Sequence, residues 1–469
     1  MGFTTLIDQA IFSLALPSLR SGLHASPAQL QLIISIYSIA FGVALVPAGR
    51  LGDMIGRRRL FLLGLTMFMG FSIVGGLAKS ADMLIVSRLL QGVGAGIINT
   101  QVLGLIQDLF DGAAQAKALG RYASAGGLSG LAGPILGGVI IALTPPELGW
   151  RLLLLVNVPF GIAVFVFAWR NLPHGVRSIR RDSMDAVGLV MLTLVTVALM
   201  SATLVDAEHV ARTRISLVLA LTALLIFVAW EIRYQRRGGA PIVSRGLIRS
   251  PGYVLGTVVA MCQFASGLTF GMISTFFFLD GLHISTLFFA ALSIGSAAGM
   301  VVSARLSWRY VARFGRAGNV VAIVAQIILV SLQGLAMCNL PPAGIVLVYP
   351  MLGVLQGVMS GVIHAPNQAL AFAEIGRGEG RGLAAGFFQL TQRLACSVGM
   401  SWGTGVFFVR LSHQRGLDAY RDAYVHALGL VLLLSCVSLV AAWTDWGRRR
   451  RIVLASVNER DAEAINAPG

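Results

Sequence analysis

Apolar runs of about 20 residues, each long enough to cross a hydrocarbon core of roughly 30 Å as one helix, recur along the whole chain. Water is absent at that depth, so each run must close its own backbone hydrogen bonds, and only a helix does that within one segment. A barrel is excluded, because its strands would alternate apolar with polar residues. The chain therefore reads as an all-α polytopic membrane protein. Composition agrees: 56% of its 469 residues are hydrophobic and 12% are charged. A soluble domain carries about 25% charged residues.

Candidate spans cover 3–20, 30–51, 59–79, 83–106, 118–143, 151–171, 185–205, 215–232, 252–278, 287–307, 318–338, 343–368, 382–408 and 424–443, fourteen in all. Arginine and lysine give the loops a side. With the amino end cytoplasmic, 25 of the 36 fall in cytoplasmic loops or the Arg448–Arg451 run and 8 fall opposite; Arg88 and Arg393 lie within spans and Arg460 in the tail. An error of one span would scramble that asymmetry. The expectation is a multi-pass protein of the inner (plasma) membrane with both termini cytoplasmic. The same loops account for the net charge of +16 without a nucleic-acid partner.

The longest internal polar loops, 171–184 and 233–250, frame one pair of helices. The expected organisation is an N-terminal six-helix bundle (1–172), an inserted helix pair with flanking loops (173–250), a C-terminal six-helix bundle (251–443) and a cytoplasmic tail (444–469). The tail is expected to be disordered beyond Arg448–Arg451, a cluster able to sit on anionic headgroups. The first span is short, with Asp8 seven residues from Met1. The expectation is a native start about 10–20 residues upstream, which completes a normal span. Cys262, Cys338, Cys396 and Cys436 all sit in apolar runs without CxxC spacing and read as small buried hydrophobes.

Three short segments stand out. Gly49-Arg50-Leu51-Gly52-Asp53-Met54-Ile55-Gly56-Arg57-Arg58-Arg59 joins two spans by a tight turn. Asp53 lies among arginines, so its charge can pair in one conformation and be released in another. Arg88, followed by Gln91, Gly92 and Gly94, lies inside a span, where an arginine costs about 2.5–3.5 kcal/mol and normally faces the interior or water. It cannot lose its own proton, but beside a carboxylate it can set when that group takes one. Gly126, Gly130, Gly133 and Gly137, at spacings of 4, 3 and 4, fall on one helix face, with Pro134 and Gly138 among them. Such a face admits a neighbouring backbone, and Pro134 invites a kink. Asp8 is a carboxylate in apolar surroundings, a natural proton carrier.

These segments, in this order, resemble the signatures of the major facilitator superfamily. The 49–59 loop is similar to the loop between its second and third helices, which gates alternating access; that resemblance makes Gly49, Asp53, Gly56, Arg57 and Arg58 the bracing residues. The glycine-proline segment resembles a fifth-helix motif of its antiporters. Ile7-Asp8-Gln9-Ala10-Ile11-Phe12-Ser13-Leu14-Ala15-Leu16-Pro17 resembles the first helix of its fourteen-helix drug:proton antiporters, with Ala10 and Ser13 in place of that family's threonine and asparagine. Trp150-Arg151 and Asn157-Val158-Pro159 look like the start of its sixth helix. Residues 305–316 occupy the mirror position of the 49–59 loop and lack its Asp, a degraded copy such as internal repeats leave.

The resemblance implies a major facilitator fold and proton-coupled efflux of hydrophobic or amphipathic, often cationic, small molecules, with Asp8 and Arg88 coupling the proton. Gln91, Asn99, Gln263, His364, Asn367, Gln392 and Arg393 are candidates for the cavity. The alternative is a symporter or uniporter for a small metabolite. An enzyme is not expected: the seven histidines are scattered without metal spacing, and neither metal nor cofactor is called for.

Overall fold

The computed structural model describes residues 25–173, 185–202, 210–237, 245–375, 381–411 and 416–465, with Thr5, Asp8, Leu19, Gly22 and Leu23 ahead of them. Most of the first candidate span, the loop arginines 177, 180 and 181, and Arg377 lie outside the described residues. Among the described residues the chain is helical and forms no strand. In order the helices are α1 (Pro27–Ile55), α2 (Arg57–Gly76), α3 (Ala81–Leu109), α4 (Gly112–Leu143), α5 (Pro146–Leu155), α6 (Asn157–Asn171), α7 (Ala186–Ala202), α8 (Val210–Arg236), α9 (Arg245–Arg249), α10 (Pro251–Phe276), α11 (Thr286–Asn339), α12 (Pro342–Phe372), α13 (Arg381–Leu411) and α14 (Leu417–Ile465).

The helix ends follow local chemistry. Ser26 and Gln29 form a reciprocal cap on α1: Ser26 Oγ accepts from the Gln29 N–H at 3.2 Å, and Gln29 Oε1 accepts from the Ser26 N–H at 3.0 Å. Ser80 Oγ accepts from the Met83 N–H and caps α3. α10 and α12 open on proline, which has no N–H to leave unpaired there. Gly56, at φ +97°, reverses the chain between α1 and α2 in one residue. Gly315, at φ +52° inside α11, does the same for two helices that otherwise run together.

Ten helices among the described residues are long and apolar enough to cross a membrane. One of them, Phe288–Asn339, contains the Gly315 break and accounts for the two candidate spans 287–307 and 318–338. Within the candidate span 185–205, Val187–Leu199 forms a shorter apolar helix. One correction concerns the tail, which continues α14 as helix to Ile465. A helix already nucleated by a packed span propagates cheaply through Arg, Leu, Ala and Glu.

The largest buried cluster joins Tyr37, Phe68, Leu192, Tyr253, Phe372 and Phe388, and so ties together α1, α2, α7, α10, α12 and α13. α7 packs on both α1 and α13. Trp230 Nε1 of α8 donates to Asp185 at 3.0 Å, and Asp185 also accepts from the Gly188 N–H at the start of α7. That acid holds α7 and α8 as a pair.

Candidate proton and gating sites

Two charged clusters sit on α3. Arg88 and Asp108 are 20 residues apart, about 30 Å of helix rise.

The first cluster is buried. Arg88 Nη1 donates to Asp8 Oδ2 at 2.7 Å, with the Arg88 and Asp8 side chains 2% and 1% exposed. Asn157 Nδ2 of α6 donates to Asp8 Oδ1 at 2.6 Å, and Gln91 Nε2 donates to the same oxygen at 3.2 Å. Gln91 lies one turn beyond Arg88 on the same face. Its Oε1 accepts from Arg88 at 2.9 Å, and its Nε2 also donates to Ser72 Oγ of α2 at 2.9 Å. Ser72 in turn donates to the Leu154 carbonyl of α5. The guanidinium lies 4.2 Å over the Tyr37 ring of α1. Asp8 is thus a carboxylate held by a cation and two amides from neighbouring helices, not a bare acid among apolar residues.

A second polar link extends along α3. Asn99 Nδ2 donates to Thr5 Oγ1 at 2.8 Å, and Tyr122 of α4 donates to Asn99 Oδ1 at 2.8 Å. Arg393 of α13 reaches across from the second half and lies 4.3 Å over Phe41, one turn beyond Tyr37 on α1. α1 therefore carries two rings, each stacked by an arginine, one from each half.

The remaining cavity candidates divide. Gln263 donates to Ser438 Oγ at 3.0 Å, and Asn367 donates to the Gly256 carbonyl at 2.7 Å, so both tie helices of the second half together. His364 packs against the Phe264 ring at 4.4 Å. Gln392 is half-buried on α13, next to Arg393.

The second charged cluster, the candidate gate, lies at the α1–α2 turn. Arg57 pairs with Asp53 at 2.7 Å and with Asp108 at the end of α3. Arg58 donates to the Trp169 carbonyl of α6 at 2.6 Å. Asp53 Oδ1 also accepts from the Gly382 N–H of α13 at 3.3 Å, and Arg381 donates to the Gln107 carbonyl. The backbones of Gly49 and Gly382 meet so closely that a Cβ on Gly49 would sit 2.3 Å from the Gly382 oxygen. At the same end α4 packs on α11: a Cβ on Gly120 would sit 2.4 Å from the Ala304 oxygen, and Ser124 Oγ donates to the Val301 carbonyl at 3.0 Å. The two halves are closed against each other at this end.

The segment carrying Gly126, Gly130, Gly133, Pro134, Gly137 and Gly138 lies within α4, which runs as unbroken helix through it. Gly133 and Gly137 are buried. The sequence pattern did not single out Gly120 and Ser124, which make the contact with α11. Nor did it single out Asp108, although an acid in the last turn of a helix opposes the dipole and so asks for a cation. Gly382 and the role of Asn157 also came only from the fold.

A profile of the Major Facilitator Superfamily matches residues 1–400. The chain is a helical membrane transporter and belongs to that superfamily. It is 31% identical over 422 residues to the probable actinorhodin transporter of Streptomyces coelicolor, covering 87% of this chain and 71% of that protein. It is 29% identical over 430 residues to a tetracenomycin C resistance and export protein of Streptomyces glaucescens, covering 90% and 76%. The riboflavin transporter RibZ of Clostridioides difficile is 23% identical over 425 residues, covering 91% and 90%. Among solved structures, the proton:xylose symporter XylE superposes with a TM-score of 0.64 at 15% identity, covering 95% of this chain and 93% of that one. That likeness establishes the fold.

Proposed function

We propose that this chain is a proton-coupled exporter of hydrophobic or amphipathic small molecules, of the fourteen-helix drug:proton antiporter type, working by alternating access. The buried Asp8–Arg88 pair, ringed by Asn157 and Gln91, is the observation that carries the reading. As a carboxylate, Asp8 only accepts hydrogen bonds; protonated, it becomes a donor at one oxygen. Protonation therefore strips Arg88 of its counter-charge. A buried cation without a partner is strongly unfavourable, so the protonated state favours a conformation in which Arg88 meets water. Arg88 is the fixed positive charge against which Asp8 works.

The Asp53–Arg57–Asp108 cluster is the latch of the closed end. Its Asp53–Gly382 contact joins the two halves and must break when they part. With that end cytoplasmic, as the arginine distribution implies, this conformation is shut toward the cytoplasm. α4, the helix that carries the glycine face, takes part in the same interface through Gly120 and Ser124. Resistance and export in the name of one relative favours efflux.

A symporter or uniporter for a small metabolite is the second reading, favoured by the riboflavin-transporter relative. Gradient polarity separates the two. The protein is reconstituted in vesicles and uptake of a fluorescent amphipathic cation such as ethidium is followed. Antiport accumulates the probe in vesicles with an acidic lumen, whereas symport needs an alkaline lumen. Uptake indifferent to both gradients contradicts proton coupling.

A further inference from the structure

A groove of about 680 Å³ opens on the first half at the gated end, between α3, α4 and α6. It is separate from the Asp8 cluster. Val102, Ile106 and Leu109 of α3 and Phe167 of α6 supply much of its wall, and among the described residues Lys117 and Arg121 of α4 are the only charged ones that line it. Both are exposed. They sit one turn apart, at i and i+4, on one face of α4. From Leu109 to Val102 the α3 wall rises about 10 Å, the depth of the upper part of one lipid leaflet. An apolar trough with a basic pair and no acid suits a molecule with a fatty chain and a negative head.

We propose that this groove is a site for an anionic phospholipid, with one acyl chain along α3 and α6 and the phosphate between Lys117 and Arg121. Basic pockets between membrane helices bind such headgroups. The site has a place in the mechanism of the fold. Lys117 Nζ also lies 5.6 Å over the Trp308 ring of α11 in the other half, and one turn further Gly120 and Ser124 make the close contact with α11. A lipid in the groove fills the space behind α4 while α4 is pressed on α11. It therefore favours the conformation closed at this end.

The test is native mass spectrometry of the full chain in neutral detergent, titrated with phosphatidylglycerol or with phosphatidylcholine. Wild type is expected to retain phosphatidylglycerol in preference. Lys117→Ala with Arg121→Ala is expected to weaken that binding about twentyfold and leave phosphatidylcholine unchanged. Lys117→Arg with Arg121→Lys, which keeps both charges, should restore it. Ala118→Phe narrows the groove with the basic pair intact and should also release the lipid. Equal retention of the two lipids by wild type overturns the proposal, as does binding that survives loss of both cations. Undiminished binding by a folded Ala118→Phe variant moves the lipid to the open surface and overturns the groove as its site.

Discussion

Arg57 and Arg316 stand at the same kind of turn in the two halves, and they find their acids in different places. Each follows a glycine at positive φ that joins two membrane helices, Gly56 and Gly315. Arg57 pairs with Asp53 four residues back and with Asp108 at the end of α3. Arg316 has no acid in its own turn. It pairs with Glu374, just past the end of α12, at 2.6 Å, and with Asp445 of α14; Arg448 joins both acids. Both halves place an acid at or just past a helix C-terminus beside the arginine, Asp108 in one and Glu374 in the other. The second turn carries no acid of its own, and Asp445 of α14 occupies that role. The difference changes what the cluster can hold together. Asp53 reaches Gly382 across the halves, whereas the acids Arg316 meets all belong to the second half. The first cluster links the two halves; the second brackets helices of one half.

That difference is open to direct attack. Arg316→Ala should have the largest effect on stability, about 3 kcal/mol, because it leaves buried Asp445 with Arg448 and half-buried Glu374 with only the longer contacts to Arg448 and Arg449. Thermal unfolding in detergent measures it, and a loss below about 1 kcal/mol would show that the second cluster is not structural. Arg57→Ala should cost less, about 1–2 kcal/mol, since Asp108 is 43% exposed and screened by solvent. Its transport rate should nevertheless fall further than that of Arg316→Ala at equal folded protein. Gly49→Ala should cost about 1–3 kcal/mol in the closed conformation, because the new methyl meets the Gly382 carbonyl. Distances between spin labels near residues 50 and 381 should lengthen; an unchanged distribution would mean that this contact does not hold the halves. Smallest is Arg421→Ala: its ion-pair partner Asp418 is 92% exposed and contributes little, so the loss is that of its hydrogen bond to the Leu340 carbonyl, about 0.5–1 kcal/mol in the same unfolding measurement.

Much of this fold could be read from residues. The apolar runs marked most of the described membrane helices, since lipid leaves the backbone no other structure; α14 runs well past its span 424–443, to Ile465, and the span 3–20 lies mostly outside the described residues. The 49–59 loop, Arg88 and the glycine face of α4 were visible because each breaks the apolar rule at a tight spacing. The partners were harder. Asp8 and Arg88 were expected to act together, but the amides of Gln91 and Asn157 that also hold Asp8, 83 and 149 residues away, were not. Residues 305–316 looked like a spent copy because the acids of Arg316 come from α12 and α14. Contacts of that sequence separation follow from helix packing, and a single chain read along its length does not display packing.

Asp8 is the hinge of the functional account, and two transport modes in the same vesicles isolate it. Exchange of labelled for unlabelled ethidium needs only alternating access, while accumulation against a gradient needs the proton. Asp8→Asn, which keeps the shape of the side chain and loses its charge, should retain exchange and lose accumulation driven by an acidic lumen. Full proton-driven accumulation by the Asp8→Asn protein would contradict the account.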